Sequence, residues 1–137
     1  MDTGVIYESE IIFSKEQVRQ FAEVTGDKNP IHVDEVYAAK TIFGKNIVHG
    51  TLIEATFSKS LMQNFPGSSV IVINRNVTFL RPVFVGETYV LNCKINSFDE
   101  ASNTILVTNS ILDTKGKFCV RAKCTLKNET NILAKTV

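Results

Sequence analysis

The sequence predicts an α+β fold in which one long helix lies against a curved antiparallel β-sheet. Three observations support this. The first half of the chain reads as helical and the second as strands. The longest stretch without a breaker after its opening glycine, "VHGTLIEATFSKSLMQNF", reads as a single apolar helix. Four strand candidates follow it, the last three joined by short turns containing "DEASN" and "TKG".

Taken in order, a short strand is expected over 5–13. Ser14 followed by Gln17 has the spacing of a capping box and opens a helix whose apolar side carries Val18, Phe21, Ala22 and Val24. That helix must stop near Thr25 and Gly26. A second short helix starts close to Val33 or Asp34, runs through "EVYAAK" and ends before Gly44. The long helix follows, with Leu52, Ile53, Ala55, Phe57, Leu61 and Met62 leaving polar residues on only part of its surface, and "PGSS" ends it at Pro66 and Gly67. Strands are expected over 70–80, 88–98, 104–113 and 117–126. In the last, Phe118, Val120, Ala122, Cys124 and Leu126 alternate with Cys119, Arg121, Lys123 and Thr125, the period of a strand with one buried face. The first strand must add to this sheet, and the long helix must cover its apolar face, because nothing else in the chain is large enough.

A length of 137 residues is that of one domain, expected over 1–137. With 44% hydrophobic and 21% charged residues the composition is globular. A net charge of +1 with scattered lysines gives no basic stripe, so nucleic acid is not an expected partner. The start, "MDTGVIYESE", has no basic segment followed by an apolar run, and 70–73, the longest aliphatic stretch, is far too short to span a bilayer. No membrane association and a cytoplasmic location are therefore expected. Cys93, Cys119 and Cys124 are odd in number and lack metal-site spacing, which points to free thiols in strands. The sequons at Asn76 and Asn128 then carry no glycan.

Between the two early helices, "VTGDKNPIH" packs an acid, an amide, a proline and one of the chain's 2 histidines into one short stretch. Pro30 biases Asn29 to an extended backbone, so Asp27 and His32 are expected on an irregular segment. An acid and an imidazole presented this way can bracket one water, Asp27 accepting its proton and His32 orienting it. The same residues are also good turn chemistry, and local composition alone favours the turn. Asp27, His32 and His49 could be assembled into a metal set, but no ligand spacing typical of such a site is present, and no metal is expected. In "NIVHGTLI", Gly50 opens the apolar helix, where unpaired amides and the positive end of the helix dipole suit a developing oxyanion. Easy helix entry or close packing would require the same glycine. Beside it, His49 fits helix-start packing or exposure better than catalysis. Water activation and an oxyanion site together describe a hydratase.

"FAEVTGDKNPIHVDEVYAAKTIFGKNIVHGTLI" resembles the hydratase signature of the MaoC-like family, the R-specific enoyl-CoA hydratases and related dehydratases of the hot-dog fold. The match covers Phe21, the run from Thr25 through Gly26, Asp27, Asn29, Pro30 and Ile31 to His32, Ala38, and the later "VHG"; "VTFLRPVFVGET" resembles the family's following strand and turn. The resemblance implies a long helix wrapped by a curved antiparallel sheet, and reversible hydration of trans-2-enoyl thioesters to (R)-3-hydroxyacyl thioesters with no cofactor. It implies Asp27 as the acid/base, His32 as its partner on the water, Asn29 as a supporting group, the Gly50 N–H as oxyanion donor and Ser58 as a polar site residue. It also implies an acyl-CoA or acyl-carrier-protein substrate, Arg81 against the anionic arm of that carrier, and a homodimer. Two other classes stay open. One is a non-catalytic module that binds acyl thioesters, and the other is a hot-dog thioesterase, for which Glu54 is the candidate acid.

Overall fold

Nine elements run along the chain: β1 (Ile6–Ile12), α1 (Lys15–Thr25), α2 (Pro30–Val33), α3 (Glu35–Ala39), α4 (Gly50–Asn64), β2 (Val70–Phe79), β3 (Thr88–Asp99), β4 (Thr104–Leu112) and β5 (Phe118–Asn128). They come from a computed structural model that describes residues 3–64 and 70–128. The expected helix stop at Pro66 and Gly67, and the Met62 side chain, lie outside the described residues.

All five strands form one antiparallel sheet in the order β1-β3-β4-β5-β2. The meander β3-β4-β5 is its centre. β1 closes one edge through pairs such as Ile6 with Lys94, and β2 closes the other through Arg75 with Cys124 and Phe79 with Val120. Register shifts at Val72/Asn74, Ile95/Ser97 and Ile111/Leu112 put an irregularity in three of the four ladders. Such bulges bend and twist the strands that contain them, which is how a five-stranded sheet curves around one helix.

That helix is α4. Leu52, Ile53, Phe57 and Leu61 are buried on it and meet Leu91, Cys93, Ile95, Ile105, Val107, Ile111 and Val120 from the sheet in a single hydrophobic cluster. α1 packs at the margin through Val18 and Ala22. Its ends follow the sequence closely: the Ser14 side chain accepts from the Gln17 amide, and Gly26 takes the left-handed conformation (φ 79°) that stops the helix. All three cysteines are buried on strands and none takes part in a disulfide among the described residues.

Val24, expected on the apolar side of α1, is 86% exposed one residue before that helix ends, and the structure also revises the reading of Pro30. Pro30 starts a helix rather than preventing one, because a proline at the first helical position loses no hydrogen bond and has its φ already set. Asn29 caps this short α2, its Oδ1 accepting from the Ile31 amide at 3.2 Å, and His32 therefore sits in a helical turn.

Phe57 is 0% exposed at the middle of the helix–sheet contact. Phe57→Ala is expected to cost about 3–5 kcal/mol of unfolding free energy, read as a lower denaturation midpoint at unchanged slope. A loss under about 1 kcal/mol would mean that α4 is not the centre of the core.

Candidate active site

The loop between α1 and α2 is held by its own side chains. Thr25 Oγ1 donates to the Phe21 carbonyl at 2.7 Å and accepts from the Asp27 amide at 3.2 Å, while Asp27 Oδ1 accepts from the Asn29 amide at 3.4 Å. These local bonds fix the backbone, Asp27 Oδ1 taking part in one of them while the carboxylate stays exposed. Asn29 shapes the turn, as its cap shows, and is exposed.

Two longer bonds bring distant segments to this loop. His32 Nδ1 donates to the Ile47 carbonyl at 2.8 Å, and His49 Nε2 donates to the Asp27 carbonyl at 2.9 Å. A carbonyl can only accept, so each of these nitrogens carries the proton. In the neutral ring, His32 Nε2 is then a lone-pair acceptor. The two imidazoles stack with centroids 3.8 Å apart and planes 27° from parallel, and Phe21 meets His49 edge-on at 5.0 Å. Asn46 Nδ2 steadies the far side of α2 by donating to the carbonyls of Ile31 and Asp34.

As a result, one ligand-type atom from each of Asp27, His32 and His49 lies within 4.8 Å of the others. Two hydrogen bonds of about 2.8 Å that meet on one water at a near-tetrahedral angle span about 4.6 Å, so the separation suits a bridging water. It suits a metal less well. Stacked rings keep their in-plane lone pairs in nearly parallel planes 3.8 Å apart, whereas a tetrahedral ion needs convergent donors.

Gly50 opens α4 directly after His49, and neither its amide nor that of Thr51 finds a backbone acceptor among the described residues. A side chain at Gly50 would meet the Phe79 ring, since an added Cβ would lie 2.7 Å from Cζ. A larger residue at this position would have to displace the half-exposed Phe79 ring. A cavity of about 500 Å³ opens here, lined by His32, Gly50, Ile53, Phe79, Arg81 and Val83. The exposed Arg81 donates from Nη1 to the Phe118 carbonyl at 2.7 Å. Ser58 lies two turns further along α4, half-buried, where it accepts from Arg75 Nη2 at 3.2 Å. Glu54 is half-buried on the same helix.

His49 carries more of this site than its sequence position suggested. It packs at the helix start, as expected, and is 1% exposed. It also positions the residues around it, holding the backbone of Asp27 and one face of His32. Only the folded contacts reveal this, because 22 positions separate the bonded pair. Arg75 gave no sequence signal beyond its place in a strand.

Burial pushes the His32 pKa below the ordinary 6.5. The bond to the Ile47 carbonyl opposes that shift, His49 adds to it and Asp27 opposes it. The folded ring therefore holds its proton less tightly than the unfolded one. The stability this neutral ring contributes is present above pH 6.5 and is lost as the pH falls from there through the lower folded value. An NMR titration of the His32 ring is expected to give a midpoint below 6.5, and a midpoint at or above 6.5 would contradict this account of its environment.

Comparison with known proteins supplies a context for this geometry. Residues 1–116 match a protein family described as MaoC like domain. The chain is 32% identical over 115 residues to the (R)-specific enoyl-CoA hydratase of Aeromonas caviae, covering 84% of this chain and 86% of that protein. To the mitochondrial 3-hydroxyacyl-[acyl-carrier-protein] dehydratase of Arabidopsis thaliana it is 28% identical over 107 residues, 78% of this chain and 63% of the relative. The solved structure of the A. caviae (R)-hydratase involved in PHA biosynthesis superimposes with a TM-score of 0.87 at 30% identity, over 93% of this chain and 97% of that one.

Proposed function

We propose, starting from the fact that this hot-dog chain belongs to the MaoC-like family, that it catalyses reversible hydration of trans-2-enoyl thioesters to (R)-3-hydroxyacyl thioesters. The observation that supports this most is the clustering of Asp27 and His32 within 4.8 Å, beside a cavity lined by Gly50.

In this reading one water donates its two protons toward two acceptors, the Asp27 carboxylate and His32 Nε2, which leaves an oxygen lone pair for the β-carbon of the enoyl chain. As the new C–O bond forms, the water proton passes to Asp27, with His32 fixing the orientation. The electron pair of the double bond moves through the α-carbon onto the thioester oxygen, where the Gly50 N–H and the positive end of α4 stabilise it. The proton then returns from the same acid/base pair to the α-carbon, and the carbonyl re-forms. Asn29 holds the loop, and Ser58 lines the acyl side. No metal or redox cofactor enters any step. The residues act within a single domain over 1–137, and the cytoplasm is the proposed location; no helix among the described residues is long and apolar enough to cross a membrane.

The same steps in reverse dehydrate a 3-hydroxyacyl thioester. The named Arabidopsis relative supports an acyl-carrier-protein substrate as the alternative to CoA. Arg81, on the wall of the cavity, is the residue proposed to meet the anionic arm of either carrier. A homodimer is supported by β2, an edge strand with Ile71 46%, Ile73 51% and Phe79 52% exposed. Light scattering at micromolar concentration is expected to give twice the 15.2 kDa chain mass, and a monomer there would remove this assembly.

Hydration is read as loss of the conjugated enoyl absorbance of crotonyl-CoA. Asp27→Asn is expected to lower turnover about a hundred- to ten-thousand-fold while the melting curve keeps its shape. Equal rates for variant and wild type would sink the assignment of Asp27. The acid limb of the wild-type kcat/KM profile is expected below pH 6.5, following the depressed His32 pKa.

A further inference from the structure

We propose that Arg75 selects enoyl thioesters whose acyl chain ends in a carboxylate, by holding that group at the far end of a seam between α4 and β2. The inference rests on the hydratase reading and names the substrate class for that same site.

The seam is defined by two contacts. At one end the Phe79 ring packs on Gly50, and at the other Arg75 Nη2 donates to Ser58 Oγ at 3.2 Å. Gly50 and Ser58 are eight residues apart on the helix, an axial rise of about 12 Å. Arg75 and Phe79 are four residues apart on the strand, about 13 Å. The matched lengths mean that helix and strand run side by side from the oxyanion amide to the guanidinium. Alternation puts Arg75, Val77 and Phe79 on one face of β2. The strand register pairs them with Cys124, Ala122 and Val120, all buried in the core. Arg75 therefore points to the helix side of the sheet, in a row that is otherwise apolar.

Such a cation needs a partner. Arg75 Nε donates to Cys124 Sγ at 3.4 Å and Nη2 to Ser58, so its acceptors are a weak sulfur and a neutral hydroxyl. It forms no ion pair among the described residues, and unlike the exposed lysines and arginines of the surface it is half-buried. A half-buried guanidinium without a carboxylate has paid part of its desolvation with no charge to offset it. Its planar fork of donors matches a carboxylate. With the thioester oxygen at the Gly50 amide, an acyl chain laid along Ile53 and Val77 would bring its last carbon to Arg75. A plain methyl terminus there would face a cation.

The test measures kcat/KM for crotonyl-CoA, trans-2-octenoyl-CoA and the CoA monothioester of trans-2-octenedioic acid, with wild type, Arg75→Leu and Arg75→Lys. Wild type is expected to favour the ω-carboxylate over the plain octenoyl ester by about tenfold or more, the worth of a charge-assisted hydrogen bond. Arg75→Leu is expected to erase or invert that ratio, and Arg75→Lys to keep part of it. A folding defect lowers both octenoyl esters together, so the ratio isolates the acyl terminus. Equal rates for the two octenoyl esters in wild type, or a ratio that Arg75→Leu leaves unchanged, overturns the proposal. An unchanged ratio with loss of the dimer assigns Arg75 to the subunit contact and overturns it as well. If crotonyl-CoA is also untouched by wild type, the hydratase reading itself falls and this inference with it.

Discussion

The hydrogen bond from His49 Nε2 to the Asp27 carbonyl joins the two halves of this protein's architecture. One end of it belongs to the residue that precedes the central helix, and the other to an exposed loop 22 positions earlier. His49 is buried because α4 is buried, and α4 is buried because the sheet has no other helix large enough to cover it. The position of the loop is thus inherited from the hydrophobic core. A loop tied only by its own turn bonds would keep its shape but lose its place relative to Gly50.

The same contact sets the electrostatics of His32. Its ring lies between the Ile47 carbonyl, which fixes the tautomer, and the face of His49. Burial between them lowers the pKa, so the ring stays neutral and Nε2 stays an acceptor near neutral pH. The exposed carboxylate a few ångströms away is wet and free to accept. Two acceptors of different chemistry within reach of one water are what oriented attack on a double bond requires.

Close packing sets the remaining limits. The Phe79 ring occupies the space a Gly50 side chain would need, so a larger residue at the start of α4 would have to push this ring of the edge strand aside. Four positions back along that strand, Arg75 reaches the same helix at Ser58. Helix and edge strand therefore run side by side between these two contacts, and the edge strand leaves Ile71, Ile73 and Phe79 half-exposed.

Much of this was legible before any coordinates. The four later strands were placed within about two residues, the last of them by period-two alternation, since one buried face imposes that pattern whatever the partner strand is. The Ser14 cap and the Gly26 stop are local events, and local sequence was sufficient to place them. Pro30 was read as a breaker and proved to be a helix start, because the same fixed φ serves both purposes and only the following backbone decides between them. The MaoC-like motif singled out Asp27, His32 and Gly50, yet not the distances among them, the tautomer of His32, the role of His49 or the direction of Arg75. Those depend on the side chains that long-range packing brings into contact. Sequence determined the elements and the chemically capable residues, through periodicity and short-range hydrogen bonds. Tertiary structure alone decided which of them meet, because burial of α4 sets positions across 15 and 22 residues of chain.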